Sequence, residues 1–429
     1  MQEFEFVVVG NGLMGSAAGR YLSQWSNSVA IVGPGEPANQ HTHSDVFSSH
    51  YDQGRLTHEV SRDPIWTVIA QQAVAAYASL EEQSGIRFHG PVGRVLANRH
   101  TAAEQAELLA WMAHVQETLG VQHRYYAPGD RAWQARFPFL AFPADYALYY
   151  EPAPAGYVNP RSMLAAQNAV ARQHGAQVID ELVTEVDSGA EGVYIQTVEG
   201  RQLRAQKVIV ACGAFTNFHH LLPQPLPLIL KTEAMIWATV SAETAARLHA
   251  MPGVGYNIDD PDIDDIYMAP PLLYPDGTHK IKLGCNTKGE LWPRTLAEVQ
   301  AWFQSGASDA DMPAMAAALQ TILPDVEFQQ ITSHRCIVTY TPSGYPTIDR
   351  APGDGHGRLF VATGGNGSGA GGSDALGHTA AGFVFDGRWP DALPRQPFLA
   401  SNQWGAGKKN PSKAQMRALE LQHEDKGAR

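Results

Sequence analysis

The stretch Phe4-Glu5-Phe6-Val7-Val8-Val9-Gly10-Asn11-Gly12-Leu13-Met14-Gly15 decides the fold. A short β-rich run ends on a glycine, and a helical pattern with small residues follows over positions 13–24. A second strand-like run, Val29-Ala30-Ile31-Val32, completes a β-α-β start. The three glycines have separate tasks. Gly10 permits the tight turn, Gly12 lets the backbone approach a pyrophosphate, and Gly15 lets helix and strand pack closely. With Leu13 and Met14 they place free N–H groups and the positive end of a helix dipole against phosphates. The pattern departs from the dinucleotide fingerprint at one point. An acidic residue is expected about 20 residues on, to bind ribose hydroxyls. That position is Gly33, so Glu36, three residues later, is the candidate substitute, with backbone and water as the alternative.

Outward from this motif the chain reads as α/β. Helical patterns span 65–83, 102–119, 161–174 and, interrupted by Gly and Pro, 295–321. Strand-like runs fall at 177–186, 192–197, 206–211, 230–285 and 330–341, and again just before a glycine run at 364. The 429 residues suffice for two or three cores. A formal net charge of −12 argues against nucleic acid as a partner, since a polyphosphate needs a basic surface. Cys212, Cys285 and Cys336 form no paired motif, so neither a disulfide framework nor a metal site is expected. No apolar run is long enough to span a bilayer, and the chain enters its first strand without a leader-like segment. These features read as an intracellular, cytoplasmic protein with no membrane partner.

Six segments in order carry a family resemblance. They are the glycine loop; Ser48-Ser49-His50-Tyr51-Asp52-Gln53-Gly54-Arg55; Val208-Ile209-Val210-Ala211-Cys212-Gly213-Ala214-Phe215; Lys280-Ile281-Lys282-Leu283-Gly284; Arg335-Cys336-Ile337-Val338-Thr339-Tyr340-Thr341-Pro342; and Ala362-Thr363-Gly364-Gly365-Asn366-Gly367-Ser368-Gly369. Together they resemble the D-amino-acid oxidase/sarcosine oxidase superfamily of flavoenzymes, nearest the monomeric sarcosine oxidase and N-methyltryptophan oxidase branch. The resemblance implies a Rossmann-like FAD-binding domain from residues 1–90, 150–225 and 330–390. It implies a substrate domain with a large antiparallel sheet from 91–149 and 226–329. The C-terminal stretch, polar and lysine-rich at its end, reads as an arm over 391–429.

The resemblance also implies roles. Gly10, Gly12, Leu13, Met14, Gly15, Glu36, Ser48, Ser49, His50, Cys212, Gly213, Cys336, Gly364, Gly365, Asn366, Gly367 and Ser368 would hold FAD, with Cys336 bonded to the flavin. By chemistry alone Cys336 is equally a small buried hydrophobe. By alternation alone Lys282 is a solvated strand residue. The resemblance puts it over the flavin, where a cation promotes reaction with oxygen. His50 and Arg55 read as solvated loop residues or as groups near the flavin, and Tyr267 as sheet packing or a substrate-pocket phenol. The family's carboxylate-binding arginine and lysine fall on Thr57 (or His58, counting the longer spacing) and Gly371, so neither cation is present there. The activity implied is oxidation of a C–N bond in a secondary amine or N-alkyl amino-acid derivative, giving an imine and hydrogen peroxide. Its partners are a small amine and oxygen, in a monomer or small homo-oligomer. The alternative is a dehydrogenase or tailoring oxidoreductase with another acceptor or a hydroxyl substrate.

Overall fold

The computed structural model describes residues 1–404, apart from 41, 44, 62 and 306. Two large sheets organise the described chain, one centred on the N-terminal strand and one built mainly from the middle of the sequence. In the first, strand Gln2–Val9 runs parallel between Gln202–Val210 and Val29–Val32. Gln177–Ile179 and Leu359–Thr363 extend the parallel set. The near-continuous apolar runs of Val7–Val9 and Val29–Val32 follow from burial on both faces.

Segments far apart in sequence close this half. Helices Leu13–Trp25, Pro160–Gln173 and Ser373–Asp386 meet through a buried polar network. The Arg20 guanidinium donates to Asp374 at 2.8 Å and to Gln167 at 2.5 Å. Gln167 and the Tyr21 hydroxyl donate to the same carboxylate at 2.7 and 2.8 Å. Arg20 is 4% exposed and Asp374 is 1% exposed, so each charge depends on the other for solvation.

The second sheet has the order Gln330–Tyr340, Ile229–Val240, His279–Thr287, Ile263–Leu273, Gly253–Tyr256, Arg94–Asn98, Ala147–Glu151, Arg124–Tyr126. All pairs are antiparallel except Gly253–Tyr256 with Arg94–Asn98. The pleat sorts its side chains. Ala234, Ile236, Ile281, Leu283, Cys285, Ile266 and Met268 share one apolar core with helix Met312–Ile322. The alternate residues Glu233, Trp237, Lys282, Gly284 and Tyr267 face the other way.

One expectation changes. Strand Gln330–Tyr340 pairs along its length with Ile229–Val240, so it belongs to the second sheet rather than to the cofactor-side segments. A β-rich run carries no mark of which sheet it joins. Residues 391–404, the described part of the expected arm, pack against the body of the protein. Phe398 is fully buried, Arg395 pairs with Asp349 at 2.8 Å, and the Trp404 indole donates to the Pro227 carbonyl at 2.8 Å. The rest of the expected arm, 405–429, lies outside the described residues. Among the described residues no helix is long and apolar enough to cross a membrane, and no His, Cys, Asp or Glu cluster suits a metal.

Asp374→Ala would leave the Arg20 charge buried without its anion. The expected loss is about 3–5 kcal/mol of stability by urea denaturation. Asp386→Asn, which removes the charge of the exposed pair with Arg388, should leave the urea midpoint close to that of the wild type.

Candidate functional site

The glycine loop has the division of labour its spacing implies. Gly10 has φ +108°, and a Cβ there would stand 2.5 Å from the Ala211 carbonyl oxygen. A Cβ on Gly15 would overlap the Gly10 carbonyl, so this glycine serves packing. A Cβ added at Gly12 would meet nothing within 4 Å. Gly12 also caps helix Leu13–Trp25 with no side-chain hydrogen bond, which leaves the first-turn N–H groups open to an anion. The Asn11 side-chain oxygen is buried with no partner among the described residues. An open approach, unpaired donors and an orphaned polar atom fit a bound pyrophosphate. At the next strand end a Cβ on Gly33 would overlap the Asn11 amide, so the loop excludes any side chain there, an acidic one included.

A cavity of about 480 Å³ runs from this loop to the polar face of the second sheet. Gly10, Gly12, Leu13 and Met14 form one end, and Ser48, Ser49, Cys212 and Gly213 flank it. Arg55, Tyr267 and Cys336 line the far part, with residues 364–371 along one side. Asn366 fixes that glycine turn. Its φ is +50°, its amide nitrogen donates to the Gly364 carbonyl at 2.6 Å, and its side-chain oxygen accepts from the Thr341 N–H at 3.0 Å. A Cβ on Gly364 would overlap the Thr341 methyl; Gly364, Gly365 and Gly367 bring bare backbone to the cavity, with Ser368 beside them.

Three expected site residues stand elsewhere. Glu36 does not line the cavity; Arg161 holds its carboxylate through two bonds of 2.6 Å. His50 is 3% exposed behind the Ser48–Ser49 wall, packed edge-on against Tyr51. Burial first, then the charges of Arg161 and Arg55, push its imidazole down to about 3, so it is neutral. Lys282 lies on the cavity side of its strand but is buried beneath the lining. Its ammonium reaches Asp52 at 2.7 Å and the Gly54 carbonyl at 3.0 Å, with the Tyr267 ring centroid 5.0 Å away.

Asp52 is the residue that sequence reasoning passed over. Its carboxylate takes Lys282 and Arg55 as ion partners and accepts from the Tyr274 hydroxyl at 2.9 Å. Arg55 also donates to the Gly54 carbonyl at 3.1 Å and the Ser49 carbonyl at 2.7 Å, and its Nη2 lies 4.0 Å from the Cys336 sulfur. Burial and then the Arg55 charge push the Lys282 amine well below the usual lysine range. An anion 2.7 Å away, the Asp52 carboxylate, favours the charged ammonium against both. A carboxylate three residues before an arginine in a polar loop was the available signal.

Other lining groups are set by burial. The Tyr267 phenol is raised well above its ordinary range, first by burial and then by Glu233, so it stays a donor. His334, stacked on Trp237 at 3.8 Å, is pushed well down by burial and then by Lys282; it is a neutral polar wall and a weak base. Burial raises the Cys212 thiol to about 12, and it faces the Val9 carbonyl at 3.4 Å. Thr57 and Gly371 are neighbours: a Cβ on Gly371 would stand 3.4 Å from the Thr57 methyl.

Comparisons with known proteins agree with this geometry. The family described as FAD dependent oxidoreductase, DAO, matches residues 5–382. N-methyl-L-tryptophan oxidases of Yersinia pestis (strain Pestoides F) and Yersinia pseudotuberculosis (serotype O:1b, strain IP 31758) are each 25% identical over 397 residues, covering 90% of this chain and 95% of theirs. Among solved structures, NikD, an unusual amino acid oxidase essential for nikkomycin biosynthesis, superposes with TM-score 0.73 at 18% identity, over 96% of this chain and 100% of its own. Glycine oxidase from Geobacillus kaustophilus gives TM-score 0.67 at 20% identity, over 94% and 100%.

Gly12→Leu should lower the FAD-to-protein ratio on purification while circular dichroism stays that of the folded chain, because its side chain enters open space. Gly15→Leu should instead unfold or fail to accumulate. Full FAD occupancy in folded Gly12→Leu would rule out this loop as the phosphate site.

Proposed function

Since the chain belongs to the DAO family of FAD-dependent oxidoreductases, we propose that it oxidises the C–N bond of a secondary amine or N-alkyl amino-acid derivative, with oxygen as acceptor, giving an imine and hydrogen peroxide. One observation carries the reading: a single cavity joins a phosphate-binding glycine loop to a sheet face bearing Tyr267 and Arg55, with the Lys282–Asp52 pair directly behind. FAD supplies the two-electron redox chemistry that none of these side chains can. The loop would hold the cofactor's phosphates, and Gly364, Gly365 and Gly367 would let a flat ring system approach the backbone. Arg55 and Lys282 concentrate positive charge beside the far part of the cavity, where negative charge develops during electron transfer. Tyr267 orients substrate from the wall as a neutral donor.

Attachment of the cofactor through Cys336 belongs to this reading. Cys285 lies on the apolar face of the sheet, and the Cys212 thiol is turned to the Val9 carbonyl. Cys336 lines the cavity and pairs in register with Glu233, another lining residue. In the wild type, acid precipitation should leave the yellow colour in the pellet, and Cys336→Ser should release it. An unmodified intact mass in a yellow wild-type sample would exclude the link.

A second reading, a dehydrogenase using another acceptor or a hydroxyl substrate, is favoured by the position of Lys282 beneath the lining rather than in it. Hydrogen peroxide measured across a panel of amines and alcohols separates the two: peroxide with amines supports the oxidase. In stopped-flow work Lys282→Met should slow flavin reoxidation by oxygen about 100-fold and change anaerobic reduction much less. Unchanged reoxidation would favour the second reading.

A further inference from the structure

Among the charged residues lining the cavity, Glu233, Asp265, Arg335 and Arg94 are not used by the oxidation chemistry, and Arg94 is the cation on the strand face shared with Gly255 and Tyr267. Strand Arg94–Asn98 lies beyond Gly253–Tyr256, which pairs with Ile263–Leu273. The register sets Leu96 beside Gly255 and Gly255 opposite Tyr267, so the three share the cavity face, and Arg94, two residues before Leu96, shares it too. All four line the cavity. Gly255 keeps the way open: a Cβ there would stand 2.7 Å from the Leu96 side chain and 3.6 Å from Arg94 Nη2.

The Arg94 guanidinium is placed as a receptor for an anion. Its Nε is buried with no hydrogen-bond partner among the described residues. Its strand neighbour Glu151 instead accepts the Glu59 N–H at 2.6 Å, and burial raises that carboxyl to about 7, which weakens it as a counter-charge. Asp265, at a bulge with φ +52°, is the other acid acting on Arg94. Beside Arg94, His58 is held neutral by burial and then by the arginine's charge, and its Nδ1 is also unpartnered. Arg55, the other guanidinium near Tyr267, is already bound to Asp52. A planar, permanently charged fork with unused donors matches a carboxylate with two parallel bonds.

We propose that Arg94 is a specificity-determining residue that docks the substrate's carboxylate at the His58–Gly255 end of the cavity, so the enzyme selects amines that carry an acid group. This rests on the cavity being the amine-oxidising site. The test titrates furan-2-carboxylate and furan-2-carboxamide, alike in shape and different in charge, into oxidised holoenzyme and follows the flavin absorbance. The wild type should bind the carboxylate more tightly. Arg94→Gln should weaken the carboxylate roughly 30-fold or more and leave the amide within about twofold. If Arg94→Gln retains no flavin, Arg94→Lys carries the test: it keeps the charge, loses the fork, and should weaken only the carboxylate. Equal binding of the two probes to the wild type, or a variant that weakens both alike, would overturn the assignment. These titrations need no turnover. An amine panel that fails to reduce the flavin therefore sinks the amine-oxidase reading by itself. Amines that reduce it with equal kcat/KM in wild type and Arg94→Gln, whether or not they carry an acid, sink the Arg94 proposal alone.

Discussion

The Asp52 carboxylate is 1% exposed and stands between two cations, the Lys282 ammonium and the Arg55 guanidinium. Moving one lysine out of water costs several kcal/mol unless a counter-ion meets it, and here two cations are brought together. The carboxylate opposes the loss of the lysine's proton that burial favours, and it holds the arginine against the same loop. With this carboxylate in place, the loop at 48–55 is clamped to the second sheet, because Tyr274 and Lys282 belong to the sheet side of the same cluster. The loop supplies Ser48, Ser49 and Arg55 to the cavity, so the clamp also fixes one wall of the site.

The rest follows from how the second sheet divides its faces. One face is apolar and packs on helix Met312–Ile322; the other brings Glu233, Tyr267 and Cys336 to the cavity. Gly284 is small because the Tyr267 ring lies across it. On the opposite side the glycine loop and the 364–371 turn bring mainly backbone and small residues to the cavity. Met14 links these two, its methyl 3.1 Å from where a Cβ on Gly369 would stand. Bare backbone thus faces a polar wall, an arrangement that suits a flat cofactor lying between a phosphate anchor and a substrate.

Much of this was legible in the sequence, and the misses share a cause. The geometry at Gly10, Gly12 and Gly15 is local, set by a turn and a helix start: a positive φ at Gly10, open space at Gly12 and close packing at Gly15. The helix expected at 102–119 is Ala102–Leu119, closed by a capping box at Thr101 and Glu104 and by Gly120 in the left-handed region. The misses are all partnerships across the chain. Glu36 looked free for a ribose, but Arg161 is folded onto it. Lys282 is placed on the expected face, yet its head is drawn under the lining by Asp52, 230 positions earlier in the numbering (282 − 52). Arg94 and His334 gave no signal, because only the strand register brings them to the cavity. Periodicity tells which face a residue occupies; it does not tell which charge waits there.

The account makes Asp52 the group that keeps Lys282 charged beside the cofactor. A double-mutant cycle tests this directly, with reoxidation of the reduced flavin by oxygen measured in wild type, Asp52→Asn, Lys282→Met and the double variant. If Asp52 acts through Lys282, Asp52→Asn slows reoxidation in the wild-type background and adds almost nothing once Lys282 is gone. Equal slowing by Asp52→Asn in both backgrounds would mean that the two residues act independently, and the shared carboxylate would lose its place at the centre of this site.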